Sequence, residues 1–177
     1  ARGGSGKSWW MADTAKFTPG GYNNVWHVVL ETDPISLSGS QLRLAFYHRY
    51  AMEDPDGAFE YDSNYDGWDG INVRISTDRG STWEVLTGPQ PAYTSGSLWS
   101  FGAIHREGPG IPGWAGRQEA WTQVNFDLSA YRNNTVNIRF EFASDAGYSS
   151  ADNNSLFGWQ IDEIEVRNNS ELLYFNS

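Results

Sequence analysis

The chain contains no cysteine. That excludes disulfides, thiolate metal sites and a cysteine nucleophile, and it leaves the redox compartment open. Basic residues are scarce: 12 Lys and Arg stand against 22 Asp and Glu, a formal net charge of −10. Nucleic-acid binding rests on clustered Lys and Arg, so nucleic acid is not an expected partner. An anionic membrane surface is disfavoured for the same reason. The balance favours cations, neutral sugars or other proteins. No apolar run approaches the roughly 20 residues of a membrane-spanning helix, and the mean hydropathy is −0.56, so no span is expected. Helical periodicity is missing too. No signal peptide is evident, and the sequence starts at Ala1. This fits a processed secreted form or an excised domain, and an extracellular, secreted setting is the expectation.

Aromatic residues are abundant, with nine Trp, nine Tyr and nine Phe in 177 residues. Acidic disordered chains lack such residues, so this chain folds, and its length suits one domain with its own core. The dominant period is two. Leu42, Leu44, Phe46, His48 and Tyr50 alternate with Arg43, Ala45, Tyr47 and Arg49. Ile71, Val73 and Ile75 alternate with Asn72, Arg74 and Ser76; Thr122, Val124 and Phe126 and then Val136, Ile138, Phe140 and Phe142 repeat the pattern. Each run predicts a strand with one buried and one outward face. Turn clusters such as Asp33-Pro34, Asp78-Arg79-Gly80 and Asn133-Asn134 separate them. The prediction is all-β: an antiparallel two-sheet β-sandwich of jelly-roll type with long loops.

The organisation follows. Residues 1–8 are Gly/Ser-rich and predict a flexible N-terminal arm, residues 9–167 the sandwich, and residues 168–177 a C-terminal tail or strand. The apolar string Leu172-Leu173-Tyr174-Phe175 either completes its own sheet or adds to a neighbour's sheet edge. Long loops are expected over about 52–70 and 88–119. Loops of that length in a compact domain usually have a function or are ordered by something bound.

The first of these loops is the most informative. Glu53, Asp54, Asp56, Glu60, Asp62, Asp66 and Asp69 are seven carboxylates without one Lys or Arg between them. Such crowding is repulsive unless a cation or solvent intervenes. Asp62, Asn64 and Asp66, with Gly67, have the D-x-N-x-D-G spacing of a calcium loop, in which alternate side chains supply hard oxygens and Gly permits the bend. The twelfth position of a helix–loop–helix calcium motif would be Val73 rather than Glu, so further ligands are expected from Asp69, Glu53 and Asp54. Calcium is the expected cofactor; a solvated acidic loop is the alternative.

Catalysis finds little support. His27, His48 and His105 have no metal-ligand spacing, and no G-x-S-x-G elbow occurs. Ala1–Ser8 fits a relaxed phosphate-loop pattern but lacks the flanking strand and helix. Trp83, Trp114 and Trp159 are expected in the core. Trp68, Trp99 and Trp121 fall in loops or on an outward phase, where they would stack on sugars or anchor a protein, or fold back over their own domain.

Three strings, DGWDGINVRISTDRGSTWEVL (66–86), EAWTQVNFDLSAYRNNTVNIRFEFASD (119–145) and FGWQIDEIEV (157–166), resemble the MAM-like or immune-inhibitor-A-like jelly-roll modules of secreted bacterial proteins. LETDPISLSGSQLRLAFYHRYAMED (30–54) looks like the opening of the same module. The resemblance implies a two-sheet sandwich without catalysis of its own, often with a structural calcium, and a ligand role for Asp162. Asp162 also interrupts the alternation between Ile161 and Ile164, as a residue at a bulge would. The acidic insert before Trp68, the Trp99 loop and the tail after Arg167 depart from the pattern.

The expected function is therefore that of a non-catalytic extracellular calcium-binding unit of a structural or adhesive assembly. It would act through other protein subunits, with strand exchange through a terminus as one route. The alternative is a polysaccharide-binding accessory module using Trp68, Trp99 or Trp121.

Overall fold

The computed structural model describes residues 2, 6–15 and 19–176. These form ten strands: β1 (Trp9–Met11), β2 (His27–Glu31), β3 (Ile35–Ser36), β4 (Leu42–Ala51), β5 (Gly70–Ser76), β6 (Glu84–Val85), β7 (Arg117–Asp127), β8 (Thr135–Ala143), β9 (Gly158–Asn168) and β10 (Glu171–Asn176). One antiparallel sheet runs β1-β9-β4-β7, with β10 also on β9; the other runs β2-β8-β5-β6, with β3 also on β8. The alternating runs form β4, β5, β7 and β8, and their apolar phase meets between the sheets. Leu44, Phe46, Val124, Ile138, Phe140, Phe142 and Trp159 are all buried there. This is the all-β sandwich that the period-two pattern predicts.

Strand β5 departs from simple alternation. Asn72, Arg74 and Ser76, the phase expected to face outward, are buried as fully as Ile71, Val73 and Ile75. The cover is the second long loop. Asn72 Nδ2 donates to the Pro112 carbonyl, Arg74 pairs with Glu107 and lies over the Phe101 ring, and Trp114 exchanges two backbone hydrogen bonds with Ile71. Leu98, Phe101, Ala115 and Ala143 make a small second core beneath that cover. Trp114 and Trp159 are buried as expected, but Trp83 is only half-buried, with the Arg139 guanidinium 4.0 Å above its ring. A single helical turn, α1 (Ala58–Tyr61), stands in the acidic loop, where no helix is expected. It is too short to leave a periodic signature.

Strand β9 carries a bulge. Ala45 opposes Glu165 while Tyr47 opposes Asp162, so one extra β9 residue is accommodated, and Glu163 takes φ +51°. The outer edge of β9 changes partner at this bulge. β1 pairs with residues 159–161 and β10 with 164–168. The tail is thus a strand of its own sheet, the first of the two alternatives. The Trp9 indole donates to Asn176 Oδ1 across the junction. Of the N-terminal arm, Ala1 and residues 3–5 lie outside the described residues. Arg2 packs back onto the sheet, with its guanidinium on Glu163 and 3.8 Å from the Tyr47 ring.

Candidate metal centre

The register of the second sheet builds the site. Gly70, the first residue of β5, pairs with Ala143, the last of β8. Asp69 and Asp145 therefore leave the same end of the sandwich, and the Asp145 N–H donates to Asp69 Oδ1 at 2.8 Å. Glu53 arrives at the same end, two residues after β4. One oxygen from each of Glu53, Asp69 and Asp145 lies within 4.8 Å of the other two. Two oxygens on opposite sides of a calcium ion are about 4.6–5.2 Å apart, twice the usual bond length, so one such ion spans this set.

Tyr22 holds the arrangement from below. Its hydroxyl donates to Asp69 Oδ2 at 2.7 Å and accepts the Glu53 N–H at 3.1 Å, and its ring stands edge-on to Phe142. The Gly147 N–H donates to Asp145 Oδ1 at 2.7 Å. Asp69 is fully buried, and Glu53 Oε2 is buried without a hydrogen-bond partner. Burial, then the charges of Asp69, Asp145, Asp152 and Asp54, pushes the Glu53 carboxyl up to about 8. Burial pushes Asp69 up to about 7 despite hydrogen bonds from Tyr22 and Asp145, and it also raises Asp145. Among the described residues, no Lys, Arg or His forms an ion pair with the three. Three carboxyl groups share the site without an ion-paired Lys, Arg or His among the described residues. The donor set is all oxygen, suited to a hard divalent cation.

The other residues singled out in the sequence go elsewhere. Asp62 accepts the N–H and side-chain amide of Asn64, a local turn. Asp66 accepts Ser95 Oγ and the N–H groups of Gly96 and Ser97, tying the two long loops together. Burial raises this carboxyl, but those three bonds outweigh it and hold it below its usual range. Asp54 is exposed and accepts the Asp56 N–H. Asp162 is buried at the β9 bulge, where its oxygens accept the N–H groups of Arg2 and Glu163. The D-x-N-x-D-G spacing thus forms a set of turns, and the carboxylates that converge are Glu53, Asp69 and Asp145. Asp145 was visible only as the end of the FASD string; the missing signal was the β5–β8 register.

The histidines divide. His48 is buried among Phe46, Tyr50, Trp114 and Trp159, and burial lowers its pKa to about 3. His27 Nε2 lies 2.6 Å from Glu141 Oε1, and the His27 and His105 rings are 4.4 Å apart.

Trp68 and Trp99 come together with Tyr61 and Tyr65 beside α1. Trp121 is separate from them, on β7, with the guanidinium of Arg49 from the adjacent strand β4 5.4 Å from its ring. In the tail, Leu172 and Phe175 are exposed, while Leu173 and Tyr174 pack against the core. No helix among the described residues is long and apolar enough to cross a membrane. Compared with known proteins, the chain matches no family model and no curated sequence.

Proposed function

We propose that the protein is a non-catalytic, calcium-stabilised sandwich module of an extracellular assembly, acting through contacts with other protein subunits. The observation that carries the calcium reading is the buried group of Glu53, Asp69 and Asp145, with one orphaned carboxylate oxygen and no countercharge. A divalent ion at their centre would offset repulsion and desolvation that the metal-free fold must bear. The resemblance to MAM-like modules supports the same reading, and millimolar calcium outside cells would keep such a site filled. The aromatic group at Trp68 and Trp99, with exposed Phe59 and Tyr61 beside it, supplies a contact surface.

Calcium that binds only the folded state stabilises it by about 2.7 kcal/mol at one hundred times Kd. At this chain length that raises Tm by roughly 5–11 °C. The test is thermal melting in excess calcium and in excess chelator, and coincident curves would overturn the calcium reading. The contact reading has its own test in sedimentation of the full chain against a Tyr61→Ala, Trp99→Ala variant, which should lose self-association or partner capture.

A second reading, polysaccharide binding, is favoured by the meeting of Trp68 and Trp99 at the surface, since indole faces stack on sugar rings. Affinity electrophoresis in soluble polysaccharides tests it: retardation that Trp99→Ala removes would support it, and none on any glycan would count against it.

A further inference from the structure

The chain has three Asp-Gly steps: Asp56-Gly57, Asp66-Gly67 and Asp69-Gly70. At such a step the backbone nitrogen of the glycine can attack the aspartyl carboxyl, because no side chain blocks the approach. The attack needs a carboxyl that is free to turn, an N–H that no acceptor holds, and room for a five-membered ring. The three steps differ in all of these.

At Asp66-Gly67 the carboxylate accepts from Ser95 Oγ and from the N–H groups of Gly96 and Ser97. Gly67 is buried, and a carbon added to it would press on Leu98, Ala115 and Ser95. At Asp69-Gly70 both residues are buried. Asp69 is held by the Tyr22 hydroxyl and the Asp145 N–H, and Gly70 pairs with Ala143 in the sheet. A carbon added to Gly70 would run into the Leu98 side chain.

Asp56-Gly57 is the opposite case. Both residues are exposed, and neither the Asp56 carboxylate nor the Gly57 N–H has a hydrogen-bond partner among the described residues. Gly57 has φ +85°, and nothing lies within 4 Å of where a Cβ would stand. The Asp56 carbonyl accepts the Trp68 indole N–H at 3.1 Å. That bond draws electron density from the Asp56-Gly57 amide. The nitrogen then gives up its proton more readily, and the carbonyl carbon becomes a better target for water.

We infer that Asp56 is a site of spontaneous isomerisation to isoaspartate, and that the fold protects Asp66 and Asp69 from the same reaction. The Gly57 nitrogen bonds to Asp56 Cγ. The neutral carboxyl loses its hydroxyl, which takes the amide proton and departs as water, closing a succinimide. Water then opens one of the two ring C–N bonds. Opening at Cγ restores aspartate. Opening at the backbone carbonyl carbon leaves the chain running through Cβ and Cγ, with that carbon now a free carboxylate. The water lost is regained, so mass and charge are unchanged. The backbone gains a methylene just before α1, and the acceptor of the Trp68 indole becomes a carboxylate, so the contacts of Trp68 with Tyr61 and Trp99 shift. The inference goes beyond the proposed function and requires neither calcium nor a partner.

The experiment incubates the full chain for weeks at neutral pH and physiological temperature. Peptide mapping with electron-transfer fragmentation then locates isoaspartate, and enzymatic isoaspartyl methylation counts it. IsoAsp56 should exceed isoaspartate at 66 and 69 by about tenfold or more, since those sites must first break bonds to a carboxylate or open the sheet. The Trp68 indole N–H signal should move in the same fraction of molecules. In the urea-unfolded chain the three steps should react alike. Asp56→Glu, at an exposed position, should abolish the product with Tm unchanged, because the larger ring closes poorly. Asp56→Asn should form the same product faster, releasing ammonia in place of water. No isoaspartate at 56, equal amounts at the three steps in the folded protein, or a preference for 56 that persists in urea would each overturn the inference.

Discussion

Replacing Asp69 by Asn should stabilise the calcium-free protein at alkaline pH. Asp69 is fully buried, and its carboxyl is pushed from 3.8 up to about 7. A shift of about three units means that ionising this group in the fold costs about 4 kcal/mol more than in the unfolded chain. Asn carries no charge and keeps an oxygen to accept the Tyr22 hydroxyl. Its amide replaces the oxygen that accepts the Asp145 N–H, which costs about 1 kcal/mol. The net at pH 8 in chelator is a gain of about 3 kcal/mol, or roughly 6–12 °C in Tm. At pH 4 the wild-type carboxyl is neutral in the fold and only about half ionised when unfolded, so the penalty falls below about 1 kcal/mol and the gain should vanish. Urea unfolding at both pH values, with chelator and with calcium, measures this directly. In calcium the order should reverse, because the variant has lost a ligand. A variant less stable than wild type at pH 8 in chelator would refute the reasoning: the carboxylate would then be a net stabilising acceptor, and the buried group would have no need of a cation.

Three further outcomes follow from the same coordinates of charge and packing. Wild-type stability in chelator should fall as pH rises from about 4 to 8. Glu53 and Asp69 have folded pKa values of about 8 and about 7, above their unfolded values of 4.5 and 3.8, so the stability they lend as neutral groups is lost between those limits. His48 works in the opposite direction: its pKa is lowered from 6.5 to about 3, so stability is lost as pH falls through that range, but one imidazole is outweighed by two carboxyls and a scan in chelator should peak near about pH 4. Trp114→Ala should cost about 3–5 kcal/mol by urea unfolding. That ring is buried against Phe46, His48, Tyr93 and Phe126, and its indole donates to the Ala92 carbonyl at 3.0 Å.

The sandwich was legible because period-two alternation is a local property, and Leu42–Tyr50 or Val136–Phe142 display it without reference to anything distant. Strand β5 misled for a physical reason. Asn72, Arg74 and Ser76 are polar, as an outward face should be, but Asn72 and Arg74 serve a loop 33 to 40 residues further on that covers them, and Ser76 bonds the turn at Asp78 and Gly80. The metal centre was half legible. Carboxylate crowding pointed to Glu53 and Asp69, but the D-x-N-x-D-G spacing drew attention to Asp62 and Asp66, whose oxygens turn to loop amides. Asp145 is 76 residues from Asp69, and only the β5–β8 pairing brings them together. The aromatic cluster lay in residues already noted, Trp68 and Trp99; Tyr61 joined them through a helical turn too short to be read in advance.

The sharing of β9's outer edge by β1 and β10 has a topological consequence. The first and last strands lie end to end along one partner, and the side chains of Trp9 and Asn176 touch. A few residues of linker would therefore join residues 9 and 176 without disturbing either sheet. The exposed turn at Arg79-Gly80, where both residues have positive φ, is a natural place to reopen the backbone. A circular permutant cut there should keep the same two-layer architecture, with β10 and β1 joined into one continuous strand along β9.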